Sequence, residues 1–184
     1  IFDEQGQLLQ ILGAVQDITE RKKIEKDLKE SSEQFRTLFE ASPEAIMLVD
    51  PQGDWPILDC NPAAYTMNGY TRGEVVGKSV DIFNLTPGNP TERSEYHEKI
   101  RKNGILRYET SHRRKDGTTL PIEVSTSLIT LGGREVVLGI DRDITERKRA
   151  EETLRKSEAM YRQAMEVAGT VPYHQSYYAD SRKM

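Results

Sequence analysis

Three histidines and one cysteine are the residues of this 184-residue chain with the widest chemical reach. They lie too far apart in the sequence for a metal site, which needs three or four ligands in a set. No His-Glu-x-x-His pair, no Gly-x-Ser-x-Gly elbow and no phosphate-binding loop is written anywhere in the chain. No catalytic residue and no metal ligand is therefore expected, and the chain reads as a non-enzyme taken by itself. Cys60 stands alone. It excludes an internal disulfide framework, fits a reducing, cytoplasmic compartment, and reads as a small core residue. His112 follows Ser111 as in the Ser-His start of a phosphoacceptor box, but Arg113-Arg114-Lys115-Asp116-Gly117 is the wrong continuation. That segment reads as a strand. On strand alternation His112 shares a face with Tyr108 and Thr110, where it either lines a cavity or sits satisfied in a core. His97, flanked by Tyr96, Glu98 and Lys99, reads as an exposed histidine on a polar helix.

The elements that must position these groups are organised by a word written twice. Asp17-Ile18-Thr19-Glu20-Arg21-Lys22 returns as Asp143-Ile144-Thr145-Glu146-Arg147-Lys148, an offset of 143 − 17 = 126 residues. The match continues at Gly13 and Gly139, Leu28 and Leu154, Phe35 and Tyr161, and Glu40 and Glu166. That period is about one small domain plus a connector, far beyond a solenoid unit. Each copy follows a short apolar run (Leu8 to Val15; Val136 to Ile140) that reads as the last strand of a hairpin. Each precedes a charged stretch with apolar residues at helical spacing. Thr19 and Thr145 are expected as N-caps, with Glu20 and Glu146 where the helix dipole favours negative charge. Asp143, Ile144 and Thr145 thus form the joint at which a sheet passes into an outgoing helix. In the first charged helix Ile24, Leu28, Ser31, Phe35 and Leu38 step by four, three, four and three, the seam of a pairing helix. The repeat carries that seam to Leu154 and Tyr161.

Between the two copies the chain reads β-β-α-α-α-β-β-β. Ala45 to Asp50 and Pro56 to Cys60 flank the Pro51-Gln52-Gly53-Asp54 turn. Asn61-Pro62 opens a short helix, asparagine as cap and proline in the first turn. Thr91 to Asn103 is a longer polar helix stopped at Gly104. Ile105 to Arg114, Thr119 to Leu131 and Arg134 to Asp143 are three strands joined at Asp116-Gly117 and Gly132-Gly133. This is an α+β arrangement, an antiparallel sheet with short helices on one face. Ile46, Leu48, Leu58, Met67, Tyr70, Phe83, Tyr108, His112, Val124 and Leu138 are the candidates for an inward wall. Such residues more often make plain core than a ligand pocket. A net charge of −4 leaves no basic field for nucleic acid, and no apolar run is long enough for a membrane helix.

This order and these words resemble a PAS sensory module with its C-terminal PAC half. The resemblance rests on Asn61-Pro62-Ala63-Ala64 with Gly69-Tyr70, Gly77, Arg114-Lys115-Asp116-Gly117-Thr118 and Asp143 to Lys148, and covers residues 35–148. It implies a five-stranded antiparallel PAS fold over residues 42–146, between linker helices at 18–41 and 147–168. Residues 1–17 resemble the closing hairpin of an upstream module and 169–184 the opening of a downstream one, so the chain reads as a piece of a longer protein. The resemblance further implies a sensor that signals through its exit helix, by dimerisation and small-ligand binding. Its output domain is expected to be a histidine kinase in a phosphorelay. Regulation of a diguanylate cyclase or phosphodiesterase is the alternative. A homodimer through the linker helices is expected, with neighbouring PAS modules and an output domain of the same chain as partners. No nucleic acid and no membrane contact by these residues are expected. A haem or flavin sensor is the other alternative, with no cofactor expected. The histidine that haem-binding relatives use would correspond to His97, which looks solvated. Cys60 lies on a strand, outside the helical word of flavin photoreceptors.

Overall fold

The computed structural model describes residues 17–167. It divides the chain into two units that meet after Pro43. Among the described residues, the first holds one helix, α1 (Thr19–Ala41). The second holds β1 (Ala45–Val49), β2 (Ile57–Cys60), α2 (Pro62–Thr66), α3 (Arg72–Val75), a 3₁₀ turn (Val80–Ile82) and α4 (Pro90–Asn103). After these come β3 (Ile105–Arg113), β4 (Thr119–Leu131), β5 (Arg134–Asp143) and α5 (Thr145–Val167). The expected hairpin before residue 17 and module start after residue 168 lie outside the described residues.

Along α1, Arg21–Glu25, Lys26–Glu30, Lys29–Glu33 and Arg36–Glu40 pair at i, i+4. Exposed pairs of this kind add only tenths of a kcal/mol each. Its apolar residues Ile24, Leu28, Phe35 and Leu38 are exposed, as are Leu154 and Tyr161 on α5. The capping expectation needs correcting in both copies of the repeated word. Thr19 and Thr145 are the first helical residues, and the aspartates before them act as acceptors. Thr19 N donates to Asp17 Oδ1 at 2.9 Å and Thr145 N donates to Asp143 Oδ1 at 2.7 Å. A carboxylate two residues upstream satisfies an orphan amide and the helix dipole together.

The sheet is antiparallel in the order β2-β1-β5-β4-β3. The first strand therefore pairs directly with the last, and β5 sits at the centre. The Asn61-Pro62 word explains how α2 is fastened to this sheet. Asn61 is fully buried, and its Oδ1 accepts from Ala64 N in the first turn of α2 and from Ile46 N on β1. Its Nδ2 donates to Glu44 O. One side chain thus caps a helix and stitches it to a strand. Between β3 and β4, Gly117 takes φ 84°, the left-handed conformation that glycine adopts without penalty. Asp116 Oδ1 closes that turn on Thr118 N at 2.9 Å.

The core packs between the helices and one face of the sheet. It contains Ala45, Met47, Val49, Trp55, Ile57, Cys60, Ala64, Val75, Phe83, Ile100 and Val137. A smaller cluster of Leu120, Ile122 and Val124 adjoins it. On β1 the inward residues are Ala45, Met47 and Val49, while Ile46 and Leu48 are only half-buried. On β5 they include Val137 and Asp141, while Leu138 is half-buried and pairs with Leu48. Leu58 is 46% exposed. The inward parity expected for Ile46, Leu48, Leu58 and Leu138 is thus one residue out of step. A one-residue shift moves a strand's whole apolar set to the other face.

Candidate functional site

Between the sheet and α4 lies a cavity of about 260 Å³. Alternate residues of the central strands face it: Met47 and Val49 from β1, Val137, Gly139 and Asp141 from β5, Val124 and Thr126 from β4. From β3 come Tyr108, Thr110 and His112, the shared face expected from alternation. Trp55, Arg93 and Tyr96 close it from the helical side. Trp55 takes φ 55°, and it is the one non-glycine residue with positive φ among the described residues. Left-handed backbone costs on the order of 1 kcal/mol outside glycine. The conformation is held by Trp55 N donating to Gln52 O and Val80 N donating to Trp55 O. It delivers a buried indole to the cavity wall, where Tyr96 packs tilted against it at 5.9 Å.

The polar groups fall into three sets. At the end lined by Asp81, Asn84, Gly88 and exposed Glu92, the Arg93 guanidinium is paired with Asp81 and bonds Asp54 Oδ1 at 3.1 Å. Burial works against ionisation of Asp81. The hydrogen bonds it accepts from Asn84, Gly88 and Arg93 outweigh that and hold its carboxyl below the usual range. In the middle, Tyr96 Oη meets Thr126 Oγ1 at 2.7 Å and Tyr108 Oη at 3.1 Å.

The third set is the most deeply buried. Asn68 Nδ2 donates to Ala64 O at 2.8 Å, which turns Asn68 Oδ1 toward the His112 ring. His112 Nδ1 then donates to that oxygen at 3.1 Å, and the Nε2 lone pair faces inward. Phe83 stacks on the imidazole at 5.3 Å, and Tyr70 meets Phe83 edge-on. His112 Nε2 lies 3.7 Å from Asp141 Oδ2, too far for a hydrogen bond. Asp141 Oδ2 is buried without a hydrogen-bond partner among the described residues. Burial pushes the Asp141 carboxyl up to about 7 and the His112 imidazole down to about 4. Once Asp141 ionises, two acceptors confront each other across this gap, with no hydrogen bond between them.

Of the sequence candidates, Tyr108, His112 and Val124 line the cavity. Phe83 and Tyr70 support His112 from behind, and Met67 packs against both core clusters. Ile46, Leu48, Leu58 and Leu138 take no part. Asp141, Tyr96, Thr126 and Trp55 escaped the sequence reading. The Asp141 signal was present, since an aspartate interrupting the in-facing row Val137, Gly139 stands out once the strand's parity is known. Cys60 is buried in the core outside the cavity, its thiol pushed up to about 11 by burial. His97 corrects its expectation of exposure. Its side chain is only 19% exposed and packs edge-on to Trp55 rather than lining the cavity. Neither residue fits a haem ligand or a flavin-reactive thiol of this cavity.

The joint at the end of β5 is anchored. Ile144 is 3% exposed and its N donates to Pro121 O at 3.1 Å. Arg147 bonds Glu109 at 2.8 Å and Lys148 pairs with the same carboxylate, tying the first turn of α5 to β3. No helix among the described residues is long and apolar enough to cross a membrane.

Comparison with known proteins places this architecture. A family profile described as "PAS domain" matches residues 43–146. The chain is 32% identical over 124 residues to the methyl sulfide methyltransferase-associated sensor of Methanosarcina acetivorans, covering 67% of this chain and 12% of that protein. It is 33% identical over 134 residues to the sensor histidine kinase TmoS of Ectopseudomonas mendocina, covering 69% of this chain and 13% of that one. The chain thus spans a small part of these relatives. Among solved structures, the PAS domain of an HTR-like protein from Haloarcula marismortui superposes with a TM-score of 0.59 at 31% identity, over 67% of this chain and 99% of that one. A five-stranded β2-β1-β5-β4-β3 sheet, a cavity beneath it and a family match from residue 43 to residue 146, over more than half of the chain, lead to one assignment: the chain belongs to the PAS domain family.

Proposed function

We propose that this chain is a regulatory relay in which a small ligand in the cavity changes the joint between β5 and α5. That change then passes along paired helices to an output domain. The observation that carries the reading is continuity along one strand. Asp141 faces the cavity, and Asp143, Ile144 and Thr145 follow it into α5. A ligand shifts such an equilibrium only by its differential affinity for two arrangements. The first turn of α5 has two sets of contacts to lose or keep, Ile144 on β4 and Arg147 with Lys148 on Glu109.

The exposed rows on α1 (Ile24, Leu28, Phe35, Leu38) and α5 (Leu154, Tyr161) have the spacing of pairing helices and support a homodimer. α1 and α5 would then link this module to neighbouring modules of a longer chain. The sensor histidine kinase among the relatives favours a histidine kinase in a phosphorelay as the output. Native mass spectrometry of the purified 184-residue chain tests both halves of the reading. The expected species is a dimer that carries a retained small molecule. A bare monomer at tens of micromolar overturns pairing and ligand retention together.

A further inference from the structure

Resting on the reading of the cavity as a ligand site, we propose that its ligand is a small primary amine. Its ammonium group is held between Asp141 and His112, and its apolar body lies against Met47, Val49, Trp55 and Val137. The geometry asks for donors. The Asp141 side chain is 2% exposed, lines the cavity, and has a carboxylate oxygen without a hydrogen-bond partner among the described residues. His112 directs a second acceptor, Nε2, toward that oxygen from 3.7 Å. Native structures leave few buried polar atoms unsatisfied, and those they do leave call for a partner. An ammonium brings three donors and can serve both acceptors together.

The charge balance asks for a cation. The charged groups lining the cavity are Asp81, Glu92, Arg93 and Asp141. The one cation, Arg93, is already engaged by Asp81 and Asp54. An alcohol brings one donor and no charge, so Asp141 would stay protonated beside it and the charge-assisted bonds that an ammonium makes would be missing. A carboxylate ligand would add a further like charge. The wall suits the cation as well, since Trp55, Tyr96 and Tyr108 present aromatic surface whose faces attract ammonium groups.

Calorimetric titration of the 184-residue chain in phosphate buffer tests this with benzylamine and two close analogues, benzyl alcohol and benzoate. The expected result is binding of benzylamine at least ten-fold tighter than either analogue. Asp141→Asn, folded by circular dichroism, is expected to lose at least ten-fold of that affinity. A second readout needs no variant. Binding an ammonium requires Asp141 to ionise, so affinity for benzylamine should rise about ten-fold between pH 6 and pH 8. The groups facing Asp141 are His112 and Tyr108 from β3 and Tyr96 and Arg93 from α4, with Asp81 and Glu92 at the far end. Burial holds His112 neutral and Tyr96 and Tyr108 protonated across that range, so none of them supplies the rise. If benzyl alcohol or benzoate binds as tightly as benzylamine, the amine proposal falls and the ligand cavity stands. A folded Asp141→Asn that keeps full affinity, or an affinity flat with pH, has the same consequence. No binding by any of the three at millimolar concentration overturns both.

Discussion

Two buried side chains show how a single residue here serves structure or site. Asn61 is structural, since its amide accepts from Ile46 N and Ala64 N and donates to Glu44 O, all at 2.8 to 3.1 Å. Removing a buried partner leaves the others to bear their own desolvation, roughly 1–3 kcal/mol each. Asn61→Ala is therefore expected to lower stability by ~3 kcal/mol in urea unfolding, and a loss below 1 kcal/mol would show the stitch to be dispensable. Asp141 acts in the opposite sense. Its carboxyl, pushed up by burial to about 7 from an unfolded value of 3.8, costs nothing below pH 3.8, where both states are protonated. The cost grows as pH rises toward 7, because ionisation is possible only in the unfolded chain. His112, pushed down to about 4 from 6.5, costs stability as pH falls through that window. Between pH 4 and 6.5 the two slopes oppose each other. In amine-free buffer Asp141→Asn is expected to be more stable than the parent chain by ~3 kcal/mol at pH 8 and equal to it near pH 3.5. It should also uncover the rise in stability with pH that His112 alone produces. A variant less stable than the parent chain at pH 8 would mean that the carboxylate has a partner in the fold.

At the scale of elements, the joint between β5 and α5 combines a cap, an apolar anchor and an ion-pair clamp. Asp143 Oδ1 accepts Thr145 N, Ile144 is buried beneath it, and Glu109 holds Arg147 and Lys148. Losing a helix cap costs ~1 kcal/mol. Asp143→Ala should therefore speed hydrogen exchange of the first-turn amides of α5 by about five-fold, while β4 keeps its protection. Equal acceleration in β4 would mean that the cap supports the sheet and not the joint alone. The joint was legible in the amino-acid sequence because it is written twice, and one acceptor geometry recurs at Asp17 and Asp143. The parity of β4 was legible too, since Leu120, Ile122 and Val124 alternate with Pro121, Glu123 and Ser125. β1 gave no such signal. Ala45 to Val49 is apolar at every position, so either face could have been the inner one. Its parity is set by pairing with β5, Met47 against Gly139 and Val49 against Val137, a contact across about ninety residues. Asp141 depends on the same long-range register, so it came into view only with the sheet assembled.

At the scale of the whole molecule, a row of apolar residues left in water on one helix is where a partner would bind. The sheet unit buries its core without help, yet α5 carries Leu154, Met160, Tyr161 and Val167 at 60%, 71%, 64% and 85% exposure. Helices this polar gain little stability from propensity alone and depend on burying an apolar stripe. Leu154 and Tyr161 are seven residues apart, as are Met160 and Val167, a heptad repeat that suits a second copy of α5 better than a flat surface. The charges agree, because Arg147, Lys148, Glu151, Glu152, Arg155 and Lys156 mix both signs along the helix rather than building a field that would repel an identical chain. Sedimentation equilibrium of the 184-residue chain should therefore show a reversible dimer. Leu154→Glu should place like charges in the seam and weaken it by at least ten-fold. A control at an exposed position outside the row, Glu152→Gln, should leave association unchanged. If Leu154→Glu and the control associate alike, α5 is not the pairing surface, and the relay would need another route out of the sheet.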